Sequence, residues 1–278
     1  MQCAHAHAGA GLWRTGHRAP RIWHLRSNPA MACPTHRLPL AGLAGVLLAL
    51  PASAAAQDMQ PVGRFEIDRT EVTIGQFRRF AEATGTVTAA ERAGGGSTYE
   101  GGWQQRRGWT WRAPFGSPGG EREPAVHLNY REAEAFCRWA GKRLPTDSEW
   151  GEAAYVERRA QPPSGFVTGR RYPYPTGESP RGANCLAGDC GEVRTVPHAV
   201  SSRGRGHAEA GTTRAGVNGL FEMGGNAWEW VDSGPGPEKR TRGGSWWYGA
   251  QAMRDEHIQG KPFDTAVVYI GLRCARDR

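Results

Sequence analysis

Two carboxylates seven residues apart, Glu222 and Glu229, flank a Gly224-Gly225-Asn226 turn. Glycine loosens the backbone there, so the carbonyls of Gly225 and Ala227 can turn toward one centre shared with the two side chains. Calcium takes several oxygen ligands of mixed kind in flexible geometry, and this set suits it. Two glutamates that make surface hydrogen bonds or pair with arginines account for the same residues. Four histidines lie beyond residue 56: His127, His198, His207 and His257. A non-haem iron centre needs two histidines and a carboxylate converging with open positions. Nothing in their spacing forces any two together, although His257 follows Ser245 closely and has Asp255 and Glu256 beside it. Iron is therefore left open as a cofactor, and His127 reads as a structural histidine in a strand. No Gly-x-Ser-x-Gly, phosphate-loop or His-Glu-x-x-His motif occurs, so hydrolase and nucleotide chemistry have no support.

The cysteines beyond residue 56 are Cys137, Cys185, Cys190 and Cys274, an even number that allows three pairings. Cys185 and Cys190 are near enough in sequence to close a small loop. Zinc is the rival use, but no C-x₂-C pair is present and no histidine sits beside these cysteines.

The elements that must position these groups are partly legible. Thr73-Ile74-Gly75-Gln76, Asn129-Tyr130-Arg131-Glu132 and Thr146-Asp147-Ser148-Glu149 each place a capping residue three positions before Gln or Glu, which predicts three helix starts. The first helix carries Phe77 and Phe80 and stops at Gly85. The second carries Ala133, Phe136, Cys137 and Ala140 and stops at Gly141, and the third turns Trp150, Ala153 and Ala154 inward. Arg64 to Asp68 alternates as a strand. Thr86 to Glu123 is aromatic- and glycine-rich without period, and reads as a long structured loop. The expected product is one loop-rich α+β domain over residues 57–278.

The first 56 residues read differently. Met31 to Arg37 is a short basic start, Leu38 to Leu50 an apolar stretch and Ala54-Ala55-Ala56 a small-residue cleavage site, the order of a secretory signal peptide over residues 31–56. Residues 1–30 then read as a mis-assigned upstream extension. These 56 residues hold five arginines and no acid, so the formal charge of +8 falls to +3 without them. That leaves no electrostatic case for nucleic acid. The expected mature protein is a periplasmic or secreted monomer with no membrane span after processing. Disulfide bonding is the default for its cysteines there.

Three longer stretches carry a resemblance. Arg242-Gly243-Gly244-Ser245-Trp246-Trp247-Tyr248 with Gly271-Leu272-Arg273-Cys274-Ala275 is the first, and Gly219 to Trp230 the second. The third runs from Pro124 through Ala135-Phe136-Cys137-Arg138-Trp139-Ala140-Gly141-Lys142-Arg143-Leu144-Pro145-Thr146 to Trp150. Together they resemble the formylglycine-generating enzyme (sulfatase-modifying factor) family across the whole of residues 57–278. The resemblance implies that family's fold, a loop-rich α+β relative of C-type lectins, and a Cys137–Cys274 bridge, which leaves Cys185 for Cys190. It implies calcium held by the Glu222 side chain, the Gly225 and Ala227 carbonyls and Glu229, the family usually having Asp or Asn at the first of these. It also implies half of a second calcium site at Asn184 and the carbonyl of Cys185, with Asp189 as the acid. Trp228 and Ser245 fall at positions lining the family's reactive pocket, and Trp111-Arg112-x-Pro114, with Trp109, resembles its substrate-groove wall.

One departure governs the functional expectation. Family members that make formylglycine hold Cu(I) on two cysteines five residues apart after the Gly-Gly-Ser turn, and this chain has Tyr248 and Met253 there. A phenol and a lone thioether are poor ligands for Cu(I), so copper is not expected. The implied function is oxidoreductase-type modification of a peptide or small molecule at Ser245, Trp228, Tyr248 and His257, without formylglycine formation. The alternative is a non-catalytic, calcium-stabilised binding module that keeps the groove.

Overall fold

The computed structural model describes residues 58–186, 188–199, 201 and 205–278. The expected signal peptide and upstream extension lie outside the described residues.

The three helix starts form as their sequences dictate. α1 (Ile74–Thr84) begins at Thr73, whose hydroxyl accepts from Gln76 N while the Gln76 side chain accepts from Thr73 N. It stops at Gly85, which takes the left-handed conformation at φ 69° that glycine adopts at least cost. Reciprocal boxes of the same kind, Asn129 with Glu132 and Thr146 with Glu149, open α3 (Tyr130–Trp139) and α4 (Asp147–Tyr155). Between α1 and α3 a short α2 (Ala89–Arg92) is opened by Thr88 and Glu91.

The segment read as one long loop therefore needs correction. Besides α2 it contains a hairpin, β3 (Ser97–Tyr99) with β4 (Trp103–Gln105), turned by Glu100-Gly101-Gly102. The Thr88-Ala89-Ala90-Glu91 capping box was present to be read, but a four-residue helix carries no period.

Two further sheets frame the site. β1 (Met59–Val62) and β2 (Phe65–Asp68) form a hairpin across Gly63-Arg64, and the C-terminal β9 (Ala275–Asp277) pairs antiparallel on the other side of β2. The larger sheet runs β7-β6-β5-β8 from β5 (Trp228–Val231), β6 (Glu238–Arg242), β7 (Gln259–Pro262) and β8 (Ile270–Gly271), with β5 and β8 parallel.

The main core lies where α1 and α3 pack. Phe77 stacks on Phe136 at 5.7 Å, and Phe80 meets the same ring edge-on. Trp111, Trp228, Trp230 and Trp246 fill the space toward the larger sheet. The Cys137–Cys274 disulfide staples α3 to the chain entering β9. Beside it the Lys142 ammonium reaches the buried Asp68 carboxylate at 2.6 Å, and Cys274 N donates to the other Asp68 oxygen. The second disulfide joins Cys185 to Cys190.

Candidate functional site

The Gly243-Gly244 turn sets the local geometry around Ser245. Both residues have positive φ, and a Cβ on Gly243 would lie 2.7 Å from the Met223 carbonyl oxygen, so a side chain there would displace backbone. The turn delivers Ser245, whose hydroxyl accepts from Trp247 N at 3.3 Å and whose carbonyl accepts from Tyr248 N at 3.0 Å. Trp246 and Trp247 then leave in perpendicular planes, and Trp247 stacks on Tyr269.

From the other side, β5 brings Trp228. Its ring lies between two partners, with Tyr248 edge-on at 5.4 Å and His257 stacked at 5.8 Å. The structure thus joins three of the four residues expected to act, and Ser245 stands at the root of the same turn. Trp228 is fully buried, yet its Nε1 has no hydrogen-bond partner among the described residues, and neither has Trp246 Nε1. A buried donor without an acceptor is costly, and such donors suit a bound oxygen-bearing group. Tyr248 also packs on Tyr269 at 5.9 Å. Burial, and then the neighbouring Tyr248 phenol, push the Tyr269 phenol far above its ordinary range. Gln259 Nε2 and His257 Nε2 lie 3.4 Å apart, and a surface cleft of about 390 Å³ is lined by residues on both sides of His257, among them Arg171, Arg242, Asp255, Glu256 and Ile258.

Tyr248 and Met253, aligned with the family's thiol pair, sit in different surroundings. Tyr248 belongs to the aromatic cluster, whereas Met253 is buried with Ala183, Cys185, Cys190 and Ala250. All four described cysteines are in disulfides.

Glu222 and Glu229 are buried with a third carboxylate, Glu71, around the buried guanidinium of Arg273. Glu229 receives Arg273 Nε at 2.8 Å on both oxygens and Trp150 Nε1 at 2.6 Å. Glu222 accepts from Gly211 N, Thr213 N and the Thr213 hydroxyl, and burial raises its pKa. Glu71 accepts from Asn226 Nδ2 and Ala227 N. Burial first, and then the charges of Glu222 and Glu229, push the Glu71 carboxyl well above its usual range. Three carboxyl groups crowd one guanidinium, and their oxygens are hard donors of the kind calcium takes, although both Glu229 oxygens are already paired with Arg273. Sequence reasoning missed Glu71 and Arg273 as members of this cluster, although Arg273 stands in a recognised motif.

The second expected calcium set does not gather around one centre. Asn184 is buried and donates to Gly206 O and Asn226 Oδ1, leaving its own Oδ1 without a partner among the described residues. The Cys185 carbonyl accepts from the Arg205 guanidinium, and Asp189 accepts from Ala250 N. A guanidinium already neutralises the carbonyl, and the acid caps a turn of its own.

The expected groove wall is also corrected. Trp111 is fully buried, packs on Phe77 at 5.0 Å and donates to Glu91, so it is a core residue. Pro114 is buried, and its carbonyl lies 3.0 Å from His127 Nε2. Trp109 is half-buried against Phe115, and Arg112 is exposed but lies over Trp111 and pairs with Glu91. In a fold with few helices, large aromatics are needed for the core. The prominently exposed pair is instead Tyr99 and Trp103, edge-on at 5.6 Å on the β3–β4 hairpin.

The histidines divide. His127 stands in an irregular left-handed turn at φ 57°, not in a strand, and burial takes its imidazole down to about 4. His198 and His207 meet on Glu123, a convergence that no spacing foretold. As the side chains stand, no three His, Cys, Asp or Glu groups among the described residues form a ready metal cage. No helix among them is long and apolar enough to cross a membrane.

With this geometry in hand, the comparisons with known proteins are specific. Residues 42–278 match the model of the sulfatase-modifying factor enzyme 1-like domain. The chain is 30% identical over 258 residues to the formylglycine-generating enzyme of Streptomyces coelicolor, an overlap of 77% of this chain and 78% of that protein. It is 28% identical over 244 residues to the inactive C-alpha-formylglycine-generating enzyme 2 of Mus musculus, 76% of this chain and 74% of the relative. The solved structure of PvdO from Pseudomonas aeruginosa shares the fold with a TM-score of 0.51 at 20% identity, over 77% of this chain and 80% of that one.

Proposed function

The chain belongs to the sulfatase-modifying factor enzyme 1-like family and has its fold, and from that premise we propose that it is an exported oxidoreductase acting on a peptide or small molecule without a copper–thiolate centre. The observation that carries this reading is the contact of Trp228 with both Tyr248 and His257, together with a buried indole N–H that has no hydrogen-bond partner among the described residues. Trp228 would donate to an oxygen-bearing group of substrate or oxidant. Tyr248 and His257 would bound the site, and His257 would exchange a proton with a ligand entering from the adjacent cleft. The buried ring walls of Trp247 and Tyr269 exclude water from that face.

Export is supported by the two disulfides, which persist in oxidising compartments. Calcium, held by Glu222, the carbonyls of Gly225 and Ala227, and Glu229, would serve structure by neutralising buried charge.

The second reading is a non-catalytic binding module. It is favoured by the exposed Tyr99–Trp103 pair, suited to a ligand ring, and by the similarity to a relative named as inactive. Dioxygen uptake separates the two. A panel of peptides and small aromatic compounds is offered to the protein and to its Trp228→Phe and Tyr248→Phe variants. Substrate-dependent uptake that either variant lowers at least tenfold supports the enzyme. Binding with no uptake across the panel supports the module and overturns the enzyme reading.

A further inference from the structure

Glu123 is almost entirely buried, and three groups from different segments close on its carboxylate. His207 Nε2 lies 2.7 Å from Oε2, and His198 Nε2 lies 3.1 Å from each oxygen. Gly120 N donates to Oε1 at 2.6 Å. His207 is fully buried with Phe115 edge-on at 5.0 Å, whereas the His198 side chain is 31% exposed. The cluster thus has a rigid inner end and one side open to solvent.

We infer that Glu123, His198 and His207 form a binding site for a divalent first-row transition-metal ion of the zinc or ferrous class. Two imidazoles and a carboxylate are the donor set such ions take, and a half-exposed third ligand leaves a position for water. The separations agree. With metal–ligand bonds of about 2.1 Å, ligands at right angles stand about 3.0 Å apart, close to the two N···O distances here. In the present arrangement both imidazoles are hydrogen-bonded to the carboxylate, and the three side chains do not form a finished cage. To become a ligand, each imidazole moves its proton from Nε2 to Nδ1, with no change in charge. His207 Nδ1 is buried with no hydrogen-bond partner among the described residues, so metal coordination there must offset an unsatisfied Nδ1–H. His198 Nδ1–H can donate a hydrogen bond to water. Burial works to raise the Glu123 carboxyl, but hydrogen bonds from His207 and Gly120 N outweigh it and hold the group below its usual range. This site is separate from the calcium cluster and does not depend on the proposed activity.

The test is Co(II) binding to the full chain, read by equilibrium dialysis and by the visible absorption of bound cobalt. The chain has five further histidines before residue 57, so the readout is a difference between variants in the same background. His198→Asn and Glu123→Gln are each expected to bind one ion fewer per chain and to lose the cobalt absorption band of a nitrogen–oxygen site. Their folding is checked by near-ultraviolet circular dichroism. His198 is on the outer side, so its variant keeps the proposal falsifiable if Glu123→Gln fails to fold. Zn(II) is also expected to shift the proton of His207 from Nε2 to Nδ1 in nitrogen-15 spectra. Equal cobalt uptake by the parent and by His198→Asn, with unchanged His207 resonances, overturns the site.

Discussion

Arg273 places its guanidinium Nε 2.8 Å from both carboxylate oxygens of Glu229, with neither side chain in contact with solvent. The same guanidinium donates to the carbonyls of Asp68 and Phe221, so one side chain ties β5 to the β2 end and to the turn before the Gly-Gly-Asn segment. A buried charge that loses its partner costs far more than an exposed pair contributes. Arg273→Met is therefore expected to destabilise the fold by about 3–5 kcal/mol. Urea denaturation is the check, and a change below about 1 kcal/mol would mean that Glu229 is neutralised by something else.

Glu71 gives a pH dependence of known sign. Its folded-state pKa is raised above the ordinary carboxyl value of 4.5 by burial and by Glu222 and Glu229. The folded state therefore holds a proton that the unfolded state has released. Its contribution is complete below pH 4.5 and is lost as pH rises through the raised value. Glu71→Gln cannot release that proton, so in chelator the variant is expected to gain stability over the parent as pH increases above 4.5. A constant difference between the two from pH 5 to 9 would contradict the assignment. Glu91, Glu123, Glu149 and Glu157 act in the opposite sense, since their pKa values are lowered and their contribution is lost only below the ordinary carboxyl range.

The proposed calcium would bind in the same carboxyl cluster. At a free concentration of about 100 times Kd, a ligand specific to the folded state contributes about 2.7 kcal/mol, or roughly 5–10 °C in Tm for a domain of this size. Calcium is expected to produce a shift of that order, chelator to reverse it, and Glu222→Ala to abolish it. An unchanged Tm in excess chelator would mean that Arg273 suffices.

The Cys137–Cys274 bridge closes a long loop, with a sequence separation of 137. Replacing both cysteines by serine is expected to cost about 2–5 kcal/mol. Cys185–Cys190 has a separation of 5, and on loop entropy its removal should cost less. Comparable losses for the two would argue against a loop-closure origin.

What was legible in the chain was mainly local. Thr73, Asn129 and Thr146 announced their helices because a capping box is complete within four residues. Thr88 carried the same signal, but Gly94, Gly95, Gly96, Gly101 and Gly102 after it suggested only loop. Trp111 shows the opposite error, since its motif pointed to a groove while its burial serves the core. The Gly-Gly turn supplied the register for Tyr248, the Gly219 to Trp230 stretch pointed to Trp228, and His257 was read only from its nearness to Ser245, Asp255 and Glu256. The pairing of Glu71 with Asn226, and the meeting of His198 and His207 on Glu123, join segments distant in sequence. No local pattern could indicate them.

The central claim is that this fold has parted from copper–thiolate cysteine oxidation. The most direct measurement incubates the purified chain with a peptide containing Cys-x-Pro-x-Arg, with and without Cu(I), and reads aldehyde formation by mass spectrometry. Tyr248 and Met253 stand in separate clusters and every described cysteine is bridged, so no aldehyde is expected under either condition. Aldehyde that accumulates with turnover when Cu(I) is supplied would contradict the account.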